Sequence, residues 1–245
     1  MKKFILMLAA AMSLGITCAD KASAQRIPDE EDILNNILPA DSPYNYSVMM
    51  MRYLAGDLEL NADHYYYLYY GFAYDEAYDA HATLPGENTI LEIFARTQSE
   101  DPSYEDAVEI IDAAKENMLV DPFNPGNINM MTYAYNIMGD TINEIISADR
   151  FRKVIQAIES SGTGVRESSP WHILRFTHAN DLIASKGFKI ANRQVRSRNV
   201  EYIQFEKNSS GVRGYFFDFS RVYWKPYDGE RPKRQNKWMF NDIPL

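Results

Sequence analysis

Apolar residues recur along this chain with two different periods. Up to about residue 160 they return every three or four positions, as on the buried stripe of an α-helix; beyond it they come in short runs bounded by turn residues. One apolar run stands apart, at residues 4–12. It follows Lys2 and Lys3 and precedes Ala22-Ser23-Ala24, which is the pattern of a secretory signal peptide. Removal of residues 1–24 is therefore expected, leaving Gln25 as the first residue.

Residues 25–43 are acidic and interrupted by Pro28, Pro39 and Pro43, which predicts a flexible lead-in with one helical turn at 32–37. Val48, Met51 and Leu54 then recur at helical spacing. Asn61 is a candidate cap for a helix over 62–80. That helix carries Tyr65, Tyr66, Tyr67, Tyr69, Tyr70 and Tyr74 around most of its circumference, so it must pack on more than one side. Tyr66, Tyr70 and Tyr74 share one line, and Gly71 permits a close crossing by another helix. Further helices are expected at 88–97, 104–119, 127–138 and 141–159. Proline breaks separate them, and Gly139 supplies a left-handed cap.

The pattern changes at Ser160-Ser161-Gly162-Thr163-Gly164, a linker or turn. Strands are predicted at 171–176, 188–195, 200–205 and 214–220, with a short helix from a cap in 177–180 to Ile183 and a turn at Asn208-Ser209-Ser210-Gly211. Strand, helix, strand, strand, strand makes a small, mainly antiparallel sheet covered on one face, and the whole an α+β protein. The expected organisation is a signal peptide at 1–24, a lead-in at 25–43, a helical repeat-like domain at 44–160, a small α+β domain at 161–223 and a basic tail at 224–245.

Two resemblances bear on this. Asp121-Pro122, Met131-Thr132, Tyr135 and Gly139-Asp140 resemble the join between tetratricopeptide repeats, and Ala107-Val108 after Tyr104 resembles the start of that motif's second helix. Thr132 stands where that pattern prefers glycine and the spacing is irregular, so the resemblance implies repeat-like helical hairpins rather than a regular array. A second set comprises Asp63-His64-Tyr65 with Leu68-Tyr69-Tyr70-Gly71, Gly162-Thr163-Gly164 leading to Trp171-His172-Ile173, and residues 211–218 with Ser220-Arg221. In these the chain resembles an uncharacterised domain-of-unknown-function family of secreted proteins from Bacteroidetes. That likeness implies export and a two-part architecture, and it transfers no activity.

Composition changes the picture in two places. The only cysteine, Cys18, lies in the segment to be removed, so the mature fold rests on packing without disulfides. Leu14-Gly15-Ile16-Thr17 before it lacks the small residue usual before a lipidated cysteine, which favours a periplasmic or extracellular protein over a lipoprotein. No other apolar run approaches the roughly 20 residues of a membrane span. Charge is also divided. Residues 25–185 hold 9 Lys+Arg against 27 Asp+Glu, whereas 186–245 hold 13 against 6. Arg193, Arg196, Arg198, Lys233, Arg234 and Lys237 could face an anionic partner such as an envelope polymer; export and the acidic majority argue against nucleic acid.

Candidate chemistry is sparse. The four histidines, His64, His81, His172 and His178, form no His-Glu-x-x-His or Cys/His spacing, so no metal or other cofactor is expected. Asp63-His64 and His178 with Asp181 place a carboxylate near an imidazole, but no nucleophile elbow or mature thiol accompanies them, and no catalytic residue is assigned. Tyrosine buries a ring while leaving a wet hydroxyl, which makes Tyr65, Tyr66, Tyr69 and Tyr74, with Arg193 and Arg196, the candidate binding residues. The function expected is a non-catalytic binding or scaffolding module for a protein or glycan of the cell envelope. The alternative is an envelope hydrolase using His172 or His178 between the two parts.

Overall fold

A computed structural model of the chain describes residues 25–97, 102–223, 239–240 and 243–244. The signal-peptide segment lies outside the described residues, as do Lys233, Arg234 and Lys237. Among the described residues there are eight α-helices followed by a four-stranded sheet, in agreement with the α+β expectation.

Each helix starts where a side chain can accept from its first free amides, with two exceptions. Asp29 caps α1 (Glu30–Ile37) and Asn45 caps α2 (Tyr46–Leu54). Asn61 caps α3 (Ala62–Gly71) in a reciprocal box with His64. A 3₁₀ turn, Phe72–Tyr74, follows, then the first exception, α4 (Glu87–Arg96), which begins after Pro85-Gly86 without a side-chain cap. Ser103 with Asp106 boxes α5 (Tyr104–Val120), Asn124 caps α6 (Pro125–Met138) with proline in its first turn, and Asp140 caps α7 (Thr141–Ser160). Gly139 ends α6 with φ +71°, the expected left-handed cap.

Three boundaries differ from the pattern. The aromatic helix stops at Gly71 rather than residue 80, because Asp75 and Asp79 turn back to accept from the amides of Ala77 and His81 and offer the backbone local turns instead. The strand expected at 171–176 is only β1 (Trp171–His172), since α8 (Phe176–Ser185) begins at once, without a side-chain cap. The lead-in contains a full two-turn helix, α1, whose Ile33 and Ile37 are buried.

The sheet runs β1, β4 (Gly214–Asp218), β3 (Val200–Phe205), β2 (Ile190–Val195). β4 pairs antiparallel with β3, β3 antiparallel with β2, and β1 parallel with β4, with Trp171 opposite Phe217. A further two-stranded hairpin joins β5 (Met239–Phe240) and β6 (Ile243–Pro244). α8 covers one side of the four-stranded sheet, where Ala179, Leu182 and Ile183 join the same core as Ile203, Phe217 and Phe219.

That core is continuous across residues 160–161. It runs from Ile33 and Met49 through the α3 tyrosines and Val154, Ala157 and Ile158 of α7 into Trp171, Ile173 and the sheet. A second cluster, with Ile93, Ile110, Ala114 and Ala134 at its centre, fastens α4, α5 and α6. Burying large apolar side chains at roughly 25 cal/mol per Å² makes these clusters the main source of stability in a chain with no disulfide to help.

Candidate functional site

The aromatic helix α3 is the hub. Its seven positions from Tyr65 to Gly71 are all buried, and its tyrosines meet neighbours from several elements. The ring of Tyr65 packs edge-on to Tyr53 and under the ammonium of Lys153. Tyr66 and Tyr67 lie beneath the guanidinium of Arg26, which also pairs with Asp32 and Asp63. Tyr70 donates to the carbonyl of His172 and Tyr78, just past the helix, to that of Leu174. Gly71 makes the predicted close crossing: a Cβ there would stand 3.2 Å from the Tyr46 ring and 3.3 Å from Ile37.

Burial overturns ligand contact for three of the four candidate tyrosines. Tyr65, Tyr66 and Tyr69 are 1%, 2% and 0% exposed, so their rings are core and no partner reaches them in this fold. Tyr74 is half-buried, its hydroxyl accepting from Arg221 at 2.6 Å. A helix aromatic all round satisfies its apolar surface only inside the protein, and seven consecutive buried positions leave no exposed face.

The most concentrated polar group lies where the helical part meets α8. The Tyr69 hydroxyl accepts the Leu174 amide at 3.2 Å and sits 2.8 Å from Nδ1 of His178; Nε2 of the same ring lies 2.9 Å from Asp121 Oδ2. With the Tyr69 proton directed at Nδ1, the ring proton sits on Nε2 against the carboxylate. Arg175 approaches the same oxygen at 3.5 Å, and Asn124 donates to it at 3.3 Å. Burial alone would raise the Asp121 carboxyl, yet His178 and Arg175 hold it below its usual value. Burial pushes the Tyr69 hydroxyl far up. Both His178 and Asp121 are completely buried, so this relay ties Asp121, at the C-terminal end of α5, to α3 and α8.

Asp181 is a separate carboxylate from this relay. It accepts the Gly126 amide at 3.1 Å, in the first turn of α6, and desolvation pushes it up to about 6. His172 stands 3.7 Å from Asp218 at the end of the sheet, and burial lowers its imidazole against the pull of that carboxylate. His64 is a helix-capping residue, its Nδ1 facing the Asn61 amide. Among the described residues no three His, Cys, Asp or Glu side chains gather as metal ligands would, and no helix is long and apolar enough to cross a membrane.

The two candidate arginines are exposed and both are engaged. Arg193, on β2, pairs with Glu201 at 3.5 Å and with Asn180; Arg196 lies over the Tyr202 ring at 5.6 Å. Arg193 lies in β2, the outer strand of the sheet, and Arg196 directly follows it. Pattern reading missed Asp121, Arg175 and Arg26. The Asp-Pro-Phe-Asn-Pro run around Asp121 was a signal that a helix ended and another began there, but nothing local tells that its carboxylate faces a histidine 57 residues on.

The outer face of α2 supplies the remaining feature. Val48, Met51 and Leu54, the residues whose spacing predicted this helix, are 46%, 65% and 59% exposed, while Met49 and Tyr53 on the opposite line are buried. Leu58, Ile142 and Ile145 are exposed as well, and Gly56, just past the end of α2, approaches Ile146 of α7. An apolar face of this kind on an acidic protein is a site where another surface gains by covering it.

The family described as a domain of unknown function (DUF4919) matches residues 31–226. No curated protein and no solved structure matches the chain.

Proposed function

We propose, for a chain that belongs to the DUF4919 family of domains of unknown function, that it is an exported, non-catalytic module binding a protein partner in the cell envelope. The observation that carries this reading is the solvent-exposed line Val48, Met51 and Leu54 on α2. A partner helix or hairpin presenting apolar side chains would remove this surface from water. The scaffolding side of the reading draws on α4 to α7, which pack in succession as tetratricopeptide-like hairpins do. Export draws on the signal-peptide pattern at 1–24.

Tyr65, Tyr66 and Tyr69, candidate contacts for a peptide or a glycan alike, have their rings in the core, so the reading draws on the bare face of α2 instead of on them. The hydrolase alternative relied on His172 or His178. His178 has both ring nitrogens occupied in a dry interior, and His172 pairs with Asp218 without a nucleophile hydrogen-bonded to it among the described residues. A photo-crosslinking residue placed at Met51 in the full chain, in its producing cells, tests the binding reading against the same residue placed at exposed Glu206. The reading expects one discrete protein adduct at position 51 that is lost with Leu54→Glu and is absent at 206. No adduct at 51, equal adducts at both positions, or an adduct of twice the chain's mass would each overturn it.

A further inference from the structure

We propose that the face of the four-stranded sheet turned away from α8 binds a glycan strand that carries carboxylates. This does not rest on the α2 reading. Side chains directly opposite each other in neighbouring strands share a face, as do alternate residues along one strand. The register therefore puts Ile203, Phe217 and Trp171 on the core side with α8. On the other side, Gln194, Tyr202 and Phe216 form one row across β2, β3 and β4, and Asn192, Gln204 and Gly214 form the next. Arg196 stands on the opposite flank. Its amide donates to the Val200 carbonyl at 2.8 Å and extends the ladder by one residue, in line with Asp218 and His172.

Each row supplies a part of sugar recognition. The rings of Tyr202 and Phe216 lie 4.8 Å apart, half-buried, and join neither core cluster, whereas neighbouring Tyr215 packs against the core. Tyr202 leans across Gly214, where a Cβ would stand 2.8 Å from its Cζ, so the glycine lets the ring lie along the sheet. Such a ring is a platform for the C–H face of a pyranose, and amides, which both donate and accept, match its hydroxyl groups. Gln194 and the exposed Asn192 and Gln204 bring amides beside the rings. The Arg196 guanidinium lies over Tyr202 at 5.6 Å and, unlike that of Arg193, has no carboxylate partner among the described residues. Its planar fork fits a carboxylate, which selects an acidic sugar. Asp218, the acid on the same face, is engaged by His172 at 3.7 Å and by the Ser220 amide at 2.7 Å. On a chain of net charge −9, bulk charge repels an acidic polymer, so binding reports this local group.

The test is affinity electrophoresis of the chain purified from its producing cells, in native gels that hold polygalacturonate, alginate or hyaluronate, with dextran as the neutral reference. Retarded migration is expected with at least one of the three carboxylated polymers and not with dextran. Arg196→Ala and Tyr202→Ala are each expected to weaken the apparent Kd by about tenfold or more, the size of a lost contact to a charged or stacked group. Gln204→Ala, at an exposed position that leaves folding intact, is expected to weaken it as well, and Arg193→Ala, on the side facing α8, to leave it unchanged. No retardation with any of the three polymers, equal retardation with dextran, or retardation undiminished by Arg196→Ala and Gln204→Ala would each overturn the proposal. Retardation lost with Leu54→Glu would move the polymer to α2 and overturn it too, whereas a missing adduct at position 51 overturns the α2 reading alone.

Discussion

Asp121 carries a negative charge in a completely dry position, so its stability depends on His178, Arg175 and Asn124 being present together. Removing one member of a buried charged network leaves the others uncompensated, at roughly 3–5 kcal/mol. Asp121→Ala is expected to lower stability by that order in urea unfolding, whereas Arg193→Ala, at the exposed sheet edge, is expected to change it by less than about 0.5 kcal/mol. Equal effects of the two would remove the relay from its structural role. Asp181 behaves in the opposite sense. Its carboxyl is raised in the folded protein to about 6 from an ordinary 3.8, so the folded state binds its proton more tightly than the unfolded chain does. This group therefore lowers stability at neutral pH, and stability rises as pH falls from about 6 towards 3.8. Asp181→Asn is expected to raise the urea midpoint at pH 7–8 and to flatten that part of the pH profile; an unchanged profile would mean that Asp181 is hydrated. The proximity of these groups was invisible in the residue string. Asp121, His178 and Tyr69 are brought together from the end of α5, α8 and α3, and no spacing rule links them.

At the level of the element, α2 shows what a periodic pattern leaves open. Its sequence is apolar on nearly every side, so a 3.6-residue period fits both the Val48, Met51, Leu54 line and the Met49, Tyr53 line, and only packing against α3 selects the second. Met49→Ala is expected to cost about 2–5 kcal/mol through the cavity it leaves, while Met51→Glu on the same helix is expected to stay within about 0.5 kcal/mol of the parent. Denaturant titrations of the two variants check this directly, and a large loss in Met51→Glu would show that its face is covered within the chain. Turns are decided by close approach. A Cβ at Gly162 would lie 2.1 Å from the Pro170 carbonyl, inside the turn that delivers β1 from α7. Backbone cannot yield there as a side-chain tip can, so Gly162→Ala is expected to cost on the order of 3 kcal/mol, read as a lowered melting temperature. Caps were the most legible elements. Asn61 and Gly139 were each marked by residue type, because a cap satisfies backbone groups within three or four residues of itself.

Across the whole molecule, one buried cluster joins α1, α2, α3, α7, α8 and the sheet, which couples the helical part to the strands. Thermal unfolding followed by far-ultraviolet circular dichroism and by tryptophan fluorescence is therefore expected to show coincident midpoints; separated transitions would mean that the sheet unfolds independently of the helices. The place where the chain turns from helix to strand, the type of each long element and most of the capping residues are written in the amino-acid sequence itself, because they follow from local propensity and from periodicity over a few turns. The acidic and basic division and the export pattern belong to the same class, since composition and short motifs are enough to state them. Which tyrosines of α3 are hidden, which face of α2 is bare, and which carboxylate meets His178 came only from the packed fold. Burial and pairing are set by residues tens of positions apart along the chain. A helix that is apolar all round carries no local record of which side the rest of the protein will cover.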